Sequence, residues 1–412
     1  MPLDGTEQPR KKPIRIGNSL VTDWLESFLE YTSYGETPSK IMWWVGVCTI
    51  AGALRRKVWI DEDIFQWSPN FYLLIVGPPG SIKKSTSIGQ GMRLLKQVPE
   101  IDFGPQIVTW QALITHIAGS KREWNINGVP FEASCVTIAL SEFGSFFDPT
   151  NRELVDALTD MWDGKLETII KETKTNGTDE IVNPWINIMA CTTPEWIAQN
   201  FPKSLIGSGF GSRPILLYAD KPLRDVAYPS RNMPVCGTRR AEERALVDGL
   251  RTIADYAGEV RLTERAYKWG EAWYADYRKQ QRANGRTVES GFWERKQTHL
   301  HKLAMVISAA RGKFPTIDIE EMIEADYRIK SLEDDVSQIY GFIGQTESSK
   351  IAGDLVETLT KVGPIEKKEL YRRYFFRSMG SADFDAALKS AIASGLVVET
   401  GNVSKPIIEL RS

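Results

Sequence analysis

Cysteine, histidine and net charge are all scarce in this chain, and each scarcity closes off a class of function. The four cysteines, Cys48, Cys135, Cys191 and Cys236, stand far apart with no C-x-x-C pair and no Cys/His cluster, so zinc is not expected. Three of them lie inside apolar runs, which fits a reducing cytoplasm, bacterial or phage-infected, better than a disulfide framework. Of the three histidines, His299 and His301 lack a third ligand, which argues against a metal there. With 51 Lys and Arg against 53 Asp and Glu the formal charge is -2, so a uniformly basic, histone-like binder is ruled out and any nucleic-acid contact must come from local patches. Long hydrophobic runs are also missing: the longest, Ile41 to Leu54, is too short to cross a bilayer and ends in Arg55-Arg56-Lys57, so it reads as a buried helix. Residues 1–17 are Pro-rich and basic (Arg10, Lys11, Lys12, Arg15) without the apolar core of a signal peptide, and a flexible arm is expected. What remains, 42% hydrophobic and 25% charged over 412 residues, is ordinary globular composition for two or three domains.

Against this plain background one stretch stands out: Phe71-Tyr-Leu-Leu-Ile-Val-Gly-Pro-Pro-Gly-Ser-Ile-Lys-Lys-Ser-Thr86. An apolar, β-rich run breaks into a Gly/Pro turn, then offers two lysines and two hydroxyls. This is the layout of a phosphate-binding loop: a buried strand delivers backbone N–H groups that cradle phosphates, a lysine reaches the β/γ-phosphates and a hydroxyl binds Mg2+. The positive end of the helix that follows adds to the same field. The usual spacing is G-x-x-x-x-G-K-[ST]; here Gly77 lies seven residues before Lys84, so the loop is one residue longer and its second glycine is missing. Lys84 takes the phosphate role and Ser85 the metal role, because Lys83 is followed by Lys84 where a hydroxyl is required. Gly77, Pro78, Pro79, Gly80, Ser81, Lys83 and Thr86 complete the expected ATP-binding set.

Helices are read from Ser19 to Thr32 and from Ser39 into Arg55-Arg56-Lys57, whose cations suit a helix C-terminus. Gln106 to Trp110 predicts a strand and Gln111 to Ala118 a helix. Ser134-Cys-Val-Thr-Ile-Ala-Leu-Ser-Glu-Phe143 is a second apolar run, and it ends in an acid, as a strand does that carries a carboxylate to the edge beside a nucleotide. Glu142 is placed to polarise the attacking water. Ser141 stands where an aspartate would hold the Mg2+ shell, which lowers the expected metal affinity or hydrolysis rate. After a helix from Asn151 to Trp162, Leu166–Thr173 and Asp179–Val182 flank Lys174-Thr-Asn-Gly-Thr178, a hairpin pattern whose Lys171 and Lys174 suit a phosphate backbone. Trp185 to Thr193 is a buried strand whose polar residues Asn187, Thr192 or Thr193 could sense a γ-phosphate, Thr193 serving equally as a helix N-cap. Gly207 to Arg213 predicts a flexible loop delivering Arg213, and Pro214 to Tyr218 a last strand.

Beyond a connector from Lys221 to Ala241 the pattern turns helical: Ala245–Ala257, Thr263–Ala283, Phe292–Arg311 and Ile319–Ile343. Arg295 and Lys302 fall seven apart on one helix face, and Arg295 is the expected second basic sensor of a helical lid. Ile351 to Leu410 reads as a winged helix, but its third helix carries Asp383 and Asp385 against Lys389, while Lys367, Lys368, Arg372 and Arg373 lie on the second; backbone or protein contact is as open as base reading.

The expected fold is therefore α/β: a P-loop NTPase, AAA+-like, three-layer core with a helical lid and a C-terminal winged helix. The expected divisions are 1–17, a flexible arm; 18–60, a helical segment; 61–220, the core; 221–345, the lid; and 350–412, the winged helix. A RecA-type core with another strand order stays open. The motifs GPPGSIKKST, LSEFGSFF, NPWINIMACTTPEW, GSGFGSRPILLYAD and HKLAMVISAA resemble the helicase-like P-loop proteins of phages and mobile elements that accompany primases, over roughly Trp24 to Arg311. In order and spacing the layout is also similar to minichromosome-maintenance helicases. The resemblance implies ATP and Mg2+ as cofactors, ATPase roles for Lys84, Ser85, Glu142, Thr193, Arg213 and Arg295, and a homo-hexameric ring. In that ring Arg213 would reach the neighbouring subunit's nucleotide and the hairpin would line a channel for single-stranded or forked DNA. It implies an ATP-driven helicase or translocase in DNA replication, with primase or polymerase on other chains; the alternative is an ATP-switched initiator or loader that does not unwind.

Overall fold

Side-chain caps and unbroken apolar runs account for where the first elements begin. The computed structural model describes residues 22–107, 109–164, 168–173, 177–202, 205, 209–284, 290–343, 347–377, 379–402 and 405–411; the expected arm and the hairpin tip with Lys174 lie outside them. Helix α1, Trp24–Thr32, starts where the Asp23 carboxylate accepts from the N–H groups of Leu25 (2.9 Å) and Glu26 (3.2 Å). Helix α2, Ser39–Leu54, is buried along its whole length from Ile41, as its all-round hydrophobicity requires. Strands β1 (Val58–Asp61) and β2 (Gln66–Trp67) pair antiparallel, and β3, Tyr72–Val76, follows, every residue buried. A strand with no polar face belongs in the middle of a parallel sheet with both faces covered.

Helices α3 (Lys84–Leu95) and α4 (Trp110–Gly119) come next. Among the described residues of 106–110 no strand forms: the helix already begins at Trp110, capped by Thr109. The neighbouring sheet position is filled further upstream, where Phe103 makes one parallel bridge to Thr137. An antiparallel hairpin follows that the sequence reading missed, β4 (Lys121–Ile126) with the first half of β5 (Val129–Leu140). Its turn is Asn127-Gly128, both with positive φ (54° and 85°), the pair that two-residue hairpins prefer. Helix α5 (Arg152–Asp163) runs from the Asn151 cap to Gly164 in the left-handed region. Then come β6 (Ile169–Thr173) and β7 (Gly177–Ile181), paired antiparallel as expected, β8 (Trp185–Thr192), α6 (Pro194–Asn200) and β9 (Pro214–Tyr218).

The main sheet has the order β4-β5-β8-β3-β9. Strands β5, β8, β3 and β9 are mutually parallel, with Val76 opposite both Thr192 and Tyr218, so their C-terminal ends form one edge. Helices α7 (Cys236–Ala254), α8 (Glu264–Asn284), α9 (Lys296–Ala310), α10 (Ile319–Lys330) and α11 (Glu333–Phe342) follow, and the first of two compact units ends at Tyr340, in the last turn of α11. The expected divisions near 60 and 220 are not divisions between units. Strand β1 pairs with Gly258–Glu259, the Trp24 indole donates to Leu246 O (2.9 Å), and the Lys302 ammonium donates to Asn70 Oδ1 (2.6 Å).

The second unit, from Gly341, holds α12 (Glu347–Val362), strand β10 (Ile365–Glu366), a short helix at Lys367–Leu370 that runs on into a wide turn at Tyr371–Phe375, α13 (Ser381–Ala393), and the antiparallel pair β11 (Val397–Asn402) and β12 (Lys405–Leu410). Leu355, Leu359, Leu370, Phe384 and Leu388 form its core. Among the described residues no helix is long and apolar enough to cross a membrane.

Candidate phosphate-binding site

At the end of β3 the chain enters a loop whose shape is dictated by close packing. The N–H of Gly77 donates to Thr192 O (3.3 Å), and a Cβ on Gly77 would stand 2.3 Å from Ala219 O, so no other residue fits. Ile82 is fully buried, and its carbonyl accepts from the Thr37 hydroxyl (3.1 Å), which also meets Ser87 Oγ (2.8 Å). The loop is thus pinned at both ends while Pro79, Gly80 and Lys83 are exposed. The Ser81 hydroxyl donates to Pro78 O (3.2 Å).

The missing second glycine has a structural answer in Lys83. Its backbone lies at φ 53°, ψ 41°, the left-handed conformation that glycine adopts without penalty, immediately before Lys84 opens α3. Its side chain goes elsewhere, 3.6 Å from the Glu36 carboxylate. The ammonium of Lys84 folds back into the loop, donating to Gly77 O and to Pro78 O (2.9 Å). Burial lowers its pKa, opposed by the nearby Cys191, Glu142 and Glu195. No side chain caps α3, and Ser85 and Thr86 in its first turn are exposed, the setting in which the free N–H groups of a helix start attract an anion.

The two hydroxyls expected at the metal meet across a cavity of about 360 Å3, lined by Ser85 and Gly89 of α3, by Lys96 just past its end, by Gln106, and by Ser141 just after β5. Glu142 is exposed directly after Ser141 and close enough to Lys84 to act on its charge. Of the three sensor candidates, Asn187 is spent: its oxygen accepts from Phe71 N (3.2 Å) and its amide donates to Cys48 O (2.9 Å). Thr193 caps α6 by accepting from Trp196 N (3.2 Å). Thr192, opposite Val76, has a buried hydroxyl with no hydrogen-bond partner among the described residues, which makes it the better-placed group. Glu195, on the first turn of α6 and within electrostatic range of Lys84, went unnoticed in the sequence; its only signal was the Pro-Glu pair after a strand end.

Arg213 and Arg295 lie elsewhere. Arg213 precedes Pro214, which pairs with Tyr72, so it sits at the opposite edge of the sheet, roughly 20 Å along the strand from Gly77. It is not a mobile, projecting arginine. Only 2% exposed, it donates to Asp163 through Nε (3.2 Å) and Nη2 (2.7 Å) and to Gly209 O. Arg295 also approaches Asp163 (3.5 Å), so one carboxylate holds both expected ATPase arginines. Lys302, expected on an outer face, is buried 3.6 Å from the Trp162 ring centre, and burial drives its pKa well down. Lys171 lies on β6 opposite Asp179.

The residues present fit a nucleoside triphosphate with Mg2+: a cradle too tight for a Cβ, open helix N–H groups, an inward lysine, and the Ser85 and Glu142 oxygens. No group of three His, Cys, Asp or Glu gathers as a metal cage among the described residues, and Mg2+ bound through phosphates and water needs none. In comparisons with known proteins, no protein-family model and no curated protein matches this chain.

Proposed function

We propose that this protein is an ATP hydrolase with an AAA+-like core that acts on DNA as a ring-forming helicase or translocase in phage or mobile-element replication. The observation that carries the nucleotide assignment is the Lys84 ammonium turned into the Gly77–Lys83 loop at the uncapped start of α3. Bound there, Mg2+ would neutralise and align the phosphates. Lys84 and the loop N–H groups would hold the β- and γ-phosphates, Ser85 the ion, and Glu142 the attacking water. Strand β8 lies between β3 and β5, which brings Gly77, Thr192 and Ser141 to one edge and supports this division of roles. The hairpin β6–β7 enters the chain between β5 and β8 and is the proposed DNA-contacting insertion. The second unit, helices followed by a β-hairpin, reads as a winged helix; Lys367 is tied to Asp385 (2.7 Å), and backbone or protein contact is the proposed role.

A second reading, an ATP-switched initiator or loader, is favoured by two features: uncharged Ser141 at the metal position, and Arg213 sequestered by Asp163. Service to a neighbouring subunit requires Arg213 to leave that carboxylate. Lys84→Ala is expected to abolish DNA-stimulated ATP hydrolysis while the circular dichroism spectrum is preserved; unchanged hydrolysis removes the assignment. Strand displacement separates the readings: ATP-dependent DNA binding with no unwinding at any salt concentration selects the switch.

A further inference from the structure

Helix α2 is followed at once by three consecutive cations, Arg55, Arg56 and Lys57, and all three are buried, at 4%, 1% and 5% exposure. Burial of cations is costly unless each is paired. Arg56 donates to two carbonyls, Pro184 O (2.8 Å) and Gly164 O, while its Nε, like that of Arg55, is buried without a partner. Arg55 and Lys57 instead line a separate cavity of about 430 Å3, together with Glu100, Trp124, Arg251 and Asp255. That is the size of a small-molecule site. The cavity lies past the C-terminus of α3, the far end from Lys84, about 18 Å away along the helix.

Arg55 carries the argument. Its backbone stands at φ 57°, ψ -155°, a region almost restricted to glycine and costing of order 1–3 kcal/mol for any other residue. Facing it, Glu100 also has a positive φ of 60°. Two strained residues on one cavity are the kind of cost that a binding site retains. The guanidinium donates through Nη1 to Glu100 O (2.8 Å), but its Nε is buried without a partner, and the Glu100 carboxylate is 3.9 Å away and largely exposed. Lys57 donates to Ala254 O. Both cations lie over the Trp124 ring, at 5.1 and 5.9 Å from its centre. Burial lowers the pKa of Arg55 and brings that of Lys57 down to about 8, with Glu100 acting against the shift in both.

We infer that this cavity is a second anion site, binding a small phosphate-bearing molecule through Arg55 and Lys57 with Arg251 at its mouth. The two cations, hydrogen-bonded to backbone carbonyls at the cavity wall, give the ligand its role: an oxyanion there balances two desolvated charges at once. This inference does not rest on the nucleotide assignment, and its test is run in the Lys84→Ala full-length protein so that the phosphate loop does not contribute. Isothermal titration with inorganic phosphate and pyrophosphate is expected to detect one site. Adding Lys57→Met is expected to weaken it by about tenfold or more, as loss of a buried charge does. Adding Arg251→Ala, an exposed change that leaves the fold intact, is expected to weaken it by about threefold. No binding in the Lys84→Ala protein, or binding unaltered by Arg251→Ala and by Lys57→Met, overturns the inference. Should Lys57→Met not fold, the Arg251→Ala comparison decides alone.

Discussion

Two buried histidines make the first unit acid-sensitive in a way that can be calculated. His299 lies between the rings of Trp162 and Phe292 (5.1 and 5.4 Å) with Nε2 3.3 Å from Ser212 O; His301 stacks on Trp67 at 4.4 Å with Nδ1 2.8 Å from Gln297 O. Burial pushes His299 down to about 3 and His301 down to about 4, from an ordinary 6.5. Between 6.5 and those values the unfolded chain binds protons that the folded chain refuses. Stability is therefore full above about pH 6.5 and is lost as pH falls below it. At pH 5 the gap to 6.5 is 1.5 pH units, worth about 2 kcal/mol per ring and about 4 kcal/mol for the pair. The assay is urea unfolding at pH 7.5 and pH 5, followed by tryptophan fluorescence; all 13 tryptophans precede Tyr340, so the signal reports the first unit alone. His301→Phe keeps the stacking on Trp67 and removes one titrating ring, so the pH-dependent loss should shrink to about 2 kcal/mol. A loss below about 1 kcal/mol in the parent protein, or an equal loss in the variant, refutes the reasoning.

Other outcomes follow from single contacts. Lys83→Gly removes a left-handed non-glycine residue at the cost of an exposed ion pair, and should stabilise the chain by about 1 kcal/mol in urea unfolding; a destabilised variant contradicts this account of the loop. Asp163→Asn leaves buried Arg213 without its carboxylate and should cost about 3 kcal/mol; an unchanged urea midpoint would show that the pair adds nothing. Ser141→Asp puts a carboxylate on the cavity shared with Ser85, so the Mg2+ concentration giving half-maximal ATP hydrolysis should fall several-fold; no shift would place the ion away from Ser141.

The sequence by itself determined the local elements: the succession of β3, β5, β8 and β9 along the chain, the Gly77–Lys84 loop, the β6–β7 hairpin, and three helices with their hairpin at the C-terminus. These were legible because apolar periodicity and Gly, Pro and Asn-Gly signals act within a few residues. The β4–β5 turn carries the same Asn-Gly signal, but the flanking residues Lys121–Ile126 and Val129–Ala133 are too polar to show a strand pattern, and the apolar run starts only at Ser134, halfway along β5. Only the tertiary structure decided what each charge faces. Arg213 looked like a loop arginine, Lys302 like a surface lysine and Arg55–Lys57 like helix-end cations, yet all are buried. Their partners, Asp163, Trp162, Asn70, Glu100 and Trp124, lie tens to hundreds of residues away in the chain. Burial and pairing of charge depend on which segments pack together, and no local pattern records that. The backbone of Lys83 shows the same limit: its left-handed turn is imposed by a loop anchored at Gly77 and Ile82, not chosen by the lysine.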